Sequence, residues 1–211
     1  MISKLRGGFG RLVRPVAQFL LDHGVSPDAI TFTGAFGAIV AALWLFPTGH
    51  LVAAAIVIGV FTLSDALDGT MARLADRVSV WGAFLDSTLD RVVDGAIFVG
   101  LALWFVQHGD PSLEPWGLIS ALACLAIGGV VPYARAKGES LGFDANVGIA
   151  ERGERLVISL TVAGLVGLGV PEIVLVVVLY LLALASAVTV VQRMAAVHRQ
   201  AKAASGEVDA A

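Results

Sequence analysis

The stretch SDALDGTMARLADRVSVWGAFLDSTLDRVVDG, residues Ser64 to Gly95, places a series of aspartates in a chain that is otherwise strongly apolar. Of the 211 residues, 57% are hydrophobic and only 15% are charged, and the mean hydropathy is +0.86. Soluble globular domains carry about 25% charged residues, so this chain has too little polar surface to cover a soluble fold. The composition predicts a membrane protein, and the aspartates require an explanation of their own.

Six apolar runs recur along the chain, and each is interpreted as a membrane-spanning helix, because about 20 helical residues cross a hydrocarbon core of about 30 Å. The runs are Ile30 to Phe46, Leu51 into the aspartate stretch, Val80 to Val106, Trp116 to Tyr133, Leu156 to Leu168 with an upstream extension toward Arg152, and Ile173 to Val191. Pro and Gly between the runs are typical of helix ends. The sequence therefore predicts an all-α, polytopic membrane protein with six transmembrane helices.

Basic residues indicate how these helices are oriented. The connecting segments 46–50, 107–115 and 167–172 contain no Lys or Arg, whereas all 14 basic residues fall on the opposite side of the predicted bundle. Lys and Arg are enriched in cytoplasmic segments of membrane proteins. We therefore expect both termini and the aspartates to face the cytoplasm, in a multi-pass protein of the cell (plasma) membrane.

The two ends of the chain differ from the apolar middle. Residues 1–25 combine apolar and basic positions, which predicts an N-terminal cytoplasmic, amphipathic helix in the membrane interface; a packing arm against the bundle is the alternative. Residues 26–199 form the predicted membrane domain. Residues 200–211 are small and polar, so we expect a disordered cytoplasmic tail. No feature of the sequence points to nucleic acid as a partner.

Four of the aspartates are spaced to share helix faces. Asp65 and Asp68 are three residues apart, and Asp86 and Asp90 are four apart, so each pair occupies adjacent turns of one face. Charged residues at the bilayer centre cost about 2.5 to 3.5 kcal/mol each, and neighbouring carboxylates also repel one another. Mg²⁺ and Mn²⁺ favour carboxylate oxygens, whereas zinc favours His and Cys, which are not clustered here. The spacing therefore predicts one cavity that holds divalent cations.

Small residues accompany these aspartates. Gly69 and Ala72 share the face of the first pair, and Gly82 precedes Asp86 by one turn, which would leave room for a bulky nucleotide at the backbone. The alternative is that these glycines are ordinary contacts between packed helices.

The pattern Asp65-x-x-Asp68-Gly69-x-x-Ala72-Arg73, eight residues, Gly82-x-x-x-Asp86-x-x-x-Asp90 resembles the complete signature of the CDP-alcohol phosphotransferase family. The resemblance implies an enzyme of the EC 2.7.8 class that transfers a phosphatidyl group from a CDP-lipid to an alcohol and releases CMP. It also implies that Asp65, Asp68, Asp86 and Asp90 hold two Mg²⁺ ions, or Mn²⁺, and that Asp90 is the catalytic base for the acceptor hydroxyl. A homodimer is a further implication.

The same resemblance assigns the CDP-lipid site. The residues it implies are Asp28, Ala29, Ile30, Thr31, Gly69, Arg73 and Ser79. A guanidinium such as that of Arg73 suits phosphate. Ser26 and Pro27, just before this set, are in addition typical of the start of a helix, with Ser26 as the cap.

A second cluster is basic and bears on the acceptor. The segment PYARAKGESLGFDANVGIAERGERL, Pro132 to Leu156, resembles the actinobacterial, mycobacterial-type phosphatidylinositol phosphate synthase branch of the family. The implied substrates are CDP-diacylglycerol and D-myo-inositol 1-phosphate (inositol 3-phosphate in the alternative numbering), with phosphatidylinositol phosphate as product. The residues predicted to bind the acceptor phosphate are Lys137, Arg155 and Arg193, together with Arg135 and Arg152.

Other readings of these clusters stay open. Glycerol 3-phosphate is also anionic, so a phosphatidylglycerol phosphate synthase is the alternative within the family, and the arginines alone would also suit membrane lipid headgroups. Carboxylates within a membrane are common in ion pathways, so a cation transporter is the alternative of a different class. The apolar run Leu51 to Phe61 argues against the transporter because it offers no polar path to the outer face.

Overall fold

The computed structural model describes residues 13–75 and 79–208, apart from the side chains of residues 65, 66 and 206–208. The described residues are helical with short connections, and no strand occurs among them. The helices are α1 (13–22), α2 (Pro27–Leu45), α3 (Leu51–Thr62), α4 (Ser64–Leu74), α5 (Val80–His108), α6 (Glu114–Ser140), α7 (Arg152–Gly167) and α8 (Ile173–Val208). The all-α prediction is confirmed.

Local capping explains where the helices near the aspartates begin. Ser26 caps α2, its hydroxyl accepting a hydrogen bond from the Ala29 amide at 3.2 Å, and Pro27 occupies the first turn, as the sequence predicts. Ser79 caps α5 in the same way, accepting from the Gly82 amide at 2.9 Å. These caps fix the positions at which α2 and α5 enter the site.

Helix α5 packs against α2 on one side and α6 on another, α8 packs along α6, and α7 lies against α8 and α3. Small residues allow these approaches. A Cβ added at Gly100 would lie 2.5 Å from the Ala42 carbonyl oxygen, and one added at Gly34 would overlap the Ser64 side chain. Larger residues at either position would separate α2 from α5 or from α4, so close packing here holds the aspartate helices together.

Within the described residues, four helical segments are long and apolar enough to cross a membrane: Pro27–Leu45, Leu51–Leu74 (α3 with α4), Glu114–Ser140 and Ile173–Ser205. Large apolar side chains such as Phe36, Trp44 and Leu184 are exposed along them, consistent with lipid contact. Each predicted apolar run coincides with a helix, and α7 begins at Arg152, as expected. The count of six spans stays a prediction, because α5 carries several charges and the 16 residues of α7 span only about 24 Å.

The two ends of the chain compare differently with expectation. Residues 1–12, which include much of the predicted amphipathic helix, lie outside the described residues, whereas residues 13–22 are helical. At the other end, α8 continues to Val208, so residues 200–208 are helical and the expectation of a disordered tail from residue 200 is not met for them. Ala, Gln and Lys in this segment are strong helix formers and extend the preceding helix.

Candidate active site

A cavity of about 230 Å³, here called the aspartate cavity, lies between α2, α4 and the start of α5. It is lined by Pro27, Asp28, Thr31, Asp68, Gly69, Ala72, Arg73, Ser79, Gly82, Ala83 and Asp86. The structure thus brings together residues predicted for the CDP-lipid with two of those predicted for metal. Ala29 and Ile30, also predicted, belong to the same turn of α2 but do not line the cavity.

Gly69 and Gly82 leave space along the wall of the aspartate cavity because they have no side chains. A Cβ added at Gly82 would lie 3.2 Å from Ser79 Oγ and 3.8 Å from Asp28 Oδ1, and one at Gly69 would lie 3.6 Å from Arg73 Nη1. In both cases a side chain would occupy space next to a polar group that lines the cavity. These contacts favour the interpretation that the glycines leave room for a ligand over that of contacts between packed helices.

Asp68 is buried, with 8% of its surface exposed, and connects two of the walls. The hydroxyl of Thr31 on α2 donates a hydrogen bond to Asp68 Oδ2 at 2.5 Å. The same hydroxyl lies 3.2 Å from the Pro27 carbonyl oxygen. Thr31 therefore fixes the orientation of the Asp68 carboxylate, a pairing across 37 residues that the sequence places in two separate motifs.

The other predicted metal residues are Asp65 on α4 and Asp86 and Asp90 on α5. Asp65 is on α4, three residues before Asp68, and its side chain lies outside the described part of the structure. Among the described side chains, no group of three or more His, Cys, Asp or Glu is placed to hold a metal ion. Asp68 and Asp86 nevertheless reach one cavity from two helices. Carboxylate oxygens are the donors that Mg²⁺ and Mn²⁺ prefer, so the residues present fit a divalent cation.

Asp90 lies beside a second, narrower cavity that adjoins the first, because Asp86 and Thr31 line both. Arg152 also lines this second cavity, and its Nη1 contacts Asp90 Oδ1 at 2.9 Å. Arg91 Nη2 approaches Asp90 Oδ2 at 3.4 Å. The last aspartate of the signature therefore stands between the aspartate cavity and a group of arginines.

Arg152 and Arg155 both bind the carboxylate of Asp94, a residue to which the sequence analysis assigned no role. Asp94 Oδ1 accepts from Arg152 Nε at 3.0 Å, and Asp94 Oδ2 accepts from Arg155 Nη2 at 2.9 Å. Arg155 is 1% exposed. Its guanidinium lies against α6, where a Cβ on Gly128 would stand 3.0 Å from Arg155 Cζ. Arg152 and Arg155, three residues apart at the start of α7, thus share one carboxylate partner.

The remaining predicted acceptor residues lie on other elements. Arg193 on α8 is 4% exposed and donates to the carbonyl oxygens of Val131 and Val147, at 2.5 and 2.9 Å. Arg135, toward the end of α6, pairs with Glu139 at 2.8 Å and interacts electrostatically with Arg193. Lys137 is exposed on α6. The structure brings Arg152 to Asp90 and Asp94 and Arg155 to Asp94. The other three basic residues lie on α6 and α8, where Arg193 and Arg135 have the partners just given.

Asp94 is the site residue that the sequence analysis missed. The available signal was its spacing, since Asp86, Asp90 and Asp94 repeat every four residues and so continue along neighbouring turns. Its partners are 58 and 61 residues away in sequence, which local spacing does not reveal.

Comparison with known proteins identifies the class to which this fold and site belong. A sequence model of the CDP-alcohol phosphatidyltransferase family matches residues 24–147, which include the whole aspartate signature. The chain belongs to this family and is a transferase.

Individual relatives narrow the comparison. The chain is 48% identical over 218 residues to the phosphatidylinositol phosphate synthase of Streptomyces avermitilis, covering 100% of this chain and 86% of the relative. It is 44% identical to that of Cutibacterium acnes, covering 94% and 98% of the two chains. A crystal structure of the Mycobacterium tuberculosis phosphatidylinositol phosphate synthase with CDP-DAG bound is 42% identical, with a TM-score of 0.82 and coverage of 89% and 94%. The same enzyme in complex with manganese and citrate also gives a TM-score of 0.82.

Proposed function

We propose that this chain transfers the phosphatidyl group of CDP-diacylglycerol to a hydroxyl of inositol 1-phosphate, giving phosphatidylinositol phosphate and CMP. The observation that carries the proposal is the adjacency of two chemically distinct regions. The aspartate cavity contains carboxylates, a guanidinium and hydroxyls, and Asp90 connects it to the paired arginines of α7. Relatives that cover nearly the whole chain are named phosphatidylinositol phosphate synthases.

In this proposal the aspartate cavity binds the CDP-lipid. Arg73 and Ser79 contact phosphate, and the start of α2, from Asp28 to Thr31, closes over the nucleotide beside Gly69. Asp65, Asp68, Asp86 and Asp90 hold two Mg²⁺ ions, or Mn²⁺, the ion present in the mycobacterial structure. When bound, the two cations neutralise the pyrophosphate and the charge on departing CMP.

Asp90 is the proposed base. Its carboxylate takes the proton of the acceptor hydroxyl, whose oxygen then forms a bond to the phosphorus of the lipid while the bond from that phosphorus to CMP breaks. Thr31 has a supporting role, because its hydrogen bond to Asp68 orients a carboxylate of the adjoining aspartate cavity. CMP leaves with the bridging oxygen, and the proton of the acceptor hydroxyl moves to Asp90.

The acceptor phosphate is proposed to bind the basic residues Arg155, Arg193, Lys137, Arg135 and Arg152. Support comes from the burial of Arg155 and Arg193, because arginines held inside a protein suit a dianionic ligand better than they suit lipid headgroups at the surface. An uncharged acceptor would not require such a cluster.

The arrangement of the chain in the membrane is a further part of the proposal. The domain from 26 to 199 crosses the plasma membrane six times, through α2, α3 with α4, α5, α6, α7 and α8, with both termini and the active site cytoplasmic. The segment 1–25 lies in the interface, the residues from 200 to 211 form a cytoplasmic tail, and two copies of the chain form a homodimer. Support for the orientation comes from the distribution of Lys and Arg, which the connecting segments 46–50, 107–115 and 167–172 lack.

The test is CMP release by the purified protein with CDP-diacylglycerol and Mg²⁺, with inositol 1-phosphate, free inositol or glycerol 3-phosphate as acceptor. Release with inositol 1-phosphate alone is the expected result. Release only with glycerol 3-phosphate would preserve the reaction and replace the acceptor, whereas no release with any of the three would overturn the proposal and return attention to a cation transporter.

A further inference from the structure

The buried carboxylate of Asp94 occupies an unusual position, one helical turn beyond Asp90 on α5. It lines neither the aspartate cavity nor the narrower cavity beside Asp90. Only 8% of its surface is exposed, and each of its two oxygens accepts a hydrogen bond from a different arginine. Asp94 therefore acts on other side chains and is not placed to contact either cavity.

The contacts form a continuous series of alternating charge. Asp90 contacts Arg152 at 2.9 Å, Arg152 contacts Asp94 at 3.0 Å, and Asp94 contacts Arg155 at 2.9 Å. Both bonds of Arg152 use different nitrogens of one planar guanidinium, so its orientation is set by the two carboxylates together. Three ion pairs thus connect the proposed base to Arg155, and Asp94 takes part in two of them.

Arg155 depends on this carboxylate more than Arg152 does. Its guanidinium is buried, and the Nε and Nη1 atoms have no hydrogen-bond partner among the described residues. Among the described residues, Asp94 is therefore the ion-pair partner of this buried cation. A cavity of about 160 Å³, bordered by Gly95, Leu125 and Gly128, lies beside the pair and gives the guanidinium room to move if that bond is lost.

We propose that Asp94 is a positioning residue for the acceptor: it holds Arg152 and Arg155 in the orientation in which they receive the acceptor phosphate next to Asp90. The proposal rests on the proposed function, because it takes the acceptor to be a phosphorylated alcohol. It assigns Asp94 to the acceptor half of the reaction only. CDP-diacylglycerol binds in the aspartate cavity, which Asp94 does not line.

The first test is Asp94→Asn, which preserves the shape of the side chain and removes its charge. We expect the KM for inositol 1-phosphate to rise about tenfold or more, the loss of charge-assisted hydrogen bonds being the cause, while the KM for CDP-diacylglycerol changes less than about twofold. Binding of inositol 1-phosphate without CDP-diacylglycerol should weaken by the same factor. Asp144→Asn is the matched control, because Asp144 is exposed and its carboxylate accepts from the nearby Asn146 amide and from no arginine among the described residues.

A purely structural role would predict another pattern. Equal changes in both KM values, or a lower kcat with both KM values unchanged, would overturn the proposal. If Asp94→Asn does not fold, Asp94→Glu retains the charge but not the spacing to both arginines; a rise in the acceptor KM alone supports the proposal, and its absence overturns it. Should the wild-type protein use glycerol 3-phosphate and not inositol 1-phosphate, the proposed function fails, whereas the same comparison with glycerol 3-phosphate still tests Asp94.

Discussion

Replacing Gly128 by alanine should weaken acceptor binding without adding or removing a charge. Gly128 lies on α6 where the guanidinium of Arg155 packs against the backbone. A Cβ there would stand 3.0 Å from Arg155 Cζ, 3.1 Å from Nε and 3.3 Å from Nη1. Because all three distances are shorter than ordinary contact, the guanidinium has to move by a few tenths of an ångström or more.

The magnitude follows from what Arg155 loses when it moves. Its bond to Asp94 is 2.9 Å long, and a hydrogen bond involving charged groups contributes about 1.5 to 3 kcal/mol. Complete loss of that bond would weaken acceptor binding by roughly 10-fold to 150-fold, since 1.4 kcal/mol is a factor of ten. A partial displacement gives a smaller effect, so we expect a rise of about tenfold in the KM for inositol 1-phosphate.

The chain supplies a close control for this experiment. Gly129 is the next residue on the same helix, and a Cβ added there meets no atom within 4 Å. Gly129→Ala should therefore leave both KM values and the thermal stability nearly unchanged. The assay is CMP release over a range of inositol 1-phosphate at saturating CDP-diacylglycerol, followed by the reverse arrangement. Identical kinetics for the two alanine variants would refute the argument that the position of Arg155 determines acceptor binding.

Three further predictions concern the neighbouring groups. Asp90→Asn should abolish transfer while CDP-diacylglycerol binding, measured by equilibrium titration, persists; normal turnover would remove Asp90 from the mechanism. Thr31→Val should lower CDP-diacylglycerol affinity by about 3-fold to 10-fold because the hydrogen bond to Asp68 is lost, and Thr31→Ser, which keeps the hydroxyl, should not. Arg135→Ala should change the free energy of unfolding by less than about 1 kcal/mol, because the ion pair of Arg135 with Glu139 is exposed. A larger acceptor KM in this stable variant would therefore reflect lost binding, whereas a normal KM would exclude Arg135 from the site.

Local sequence signals predicted the parts of this molecule that depend on local geometry. Ser26 precedes α2 and caps it as predicted, and the three- and four-residue spacing of the aspartates places them on neighbouring turns. Apolar runs located the helices of the bundle, because burial in lipid or core requires long apolar segments. Most residues predicted for the CDP-lipid line one cavity. Local spacing accounts for this, because most of them belong to two short motifs and one helix cap.

Pairings across the bundle were beyond the reach of such signals. Asp94 meets Arg152 and Arg155 at the start of α7, a helix that packs mainly against α3 and α8, and no spacing in the sequence encodes that contact. Arg193 looked like one more member of a basic patch, yet it is buried and donates to two backbone carbonyls. The helical residues at the end of α8 were missed because a polar composition was given more weight than the helix propensity of Ala, Gln and Lys.

Helix geometry explains how α5 alone serves both halves of the proposed reaction. An α-helix turns about 100° per residue, so each step of four residues advances about 6 Å and rotates the side chain by about 40°. Asp86 lines both cavities, Asp90 lines only the narrower one and contacts Arg152, and Asp94 lines neither and binds the two arginines. From Asp86 to Asp94 the carboxylates thus rotate by about 80°, from the nucleotide side to the acceptor side. Because the spacing of four residues occurs twice, α5 places Asp86 on the side of the CDP-lipid, Asp94 on the side of the acceptor, and the proposed base Asp90 between them.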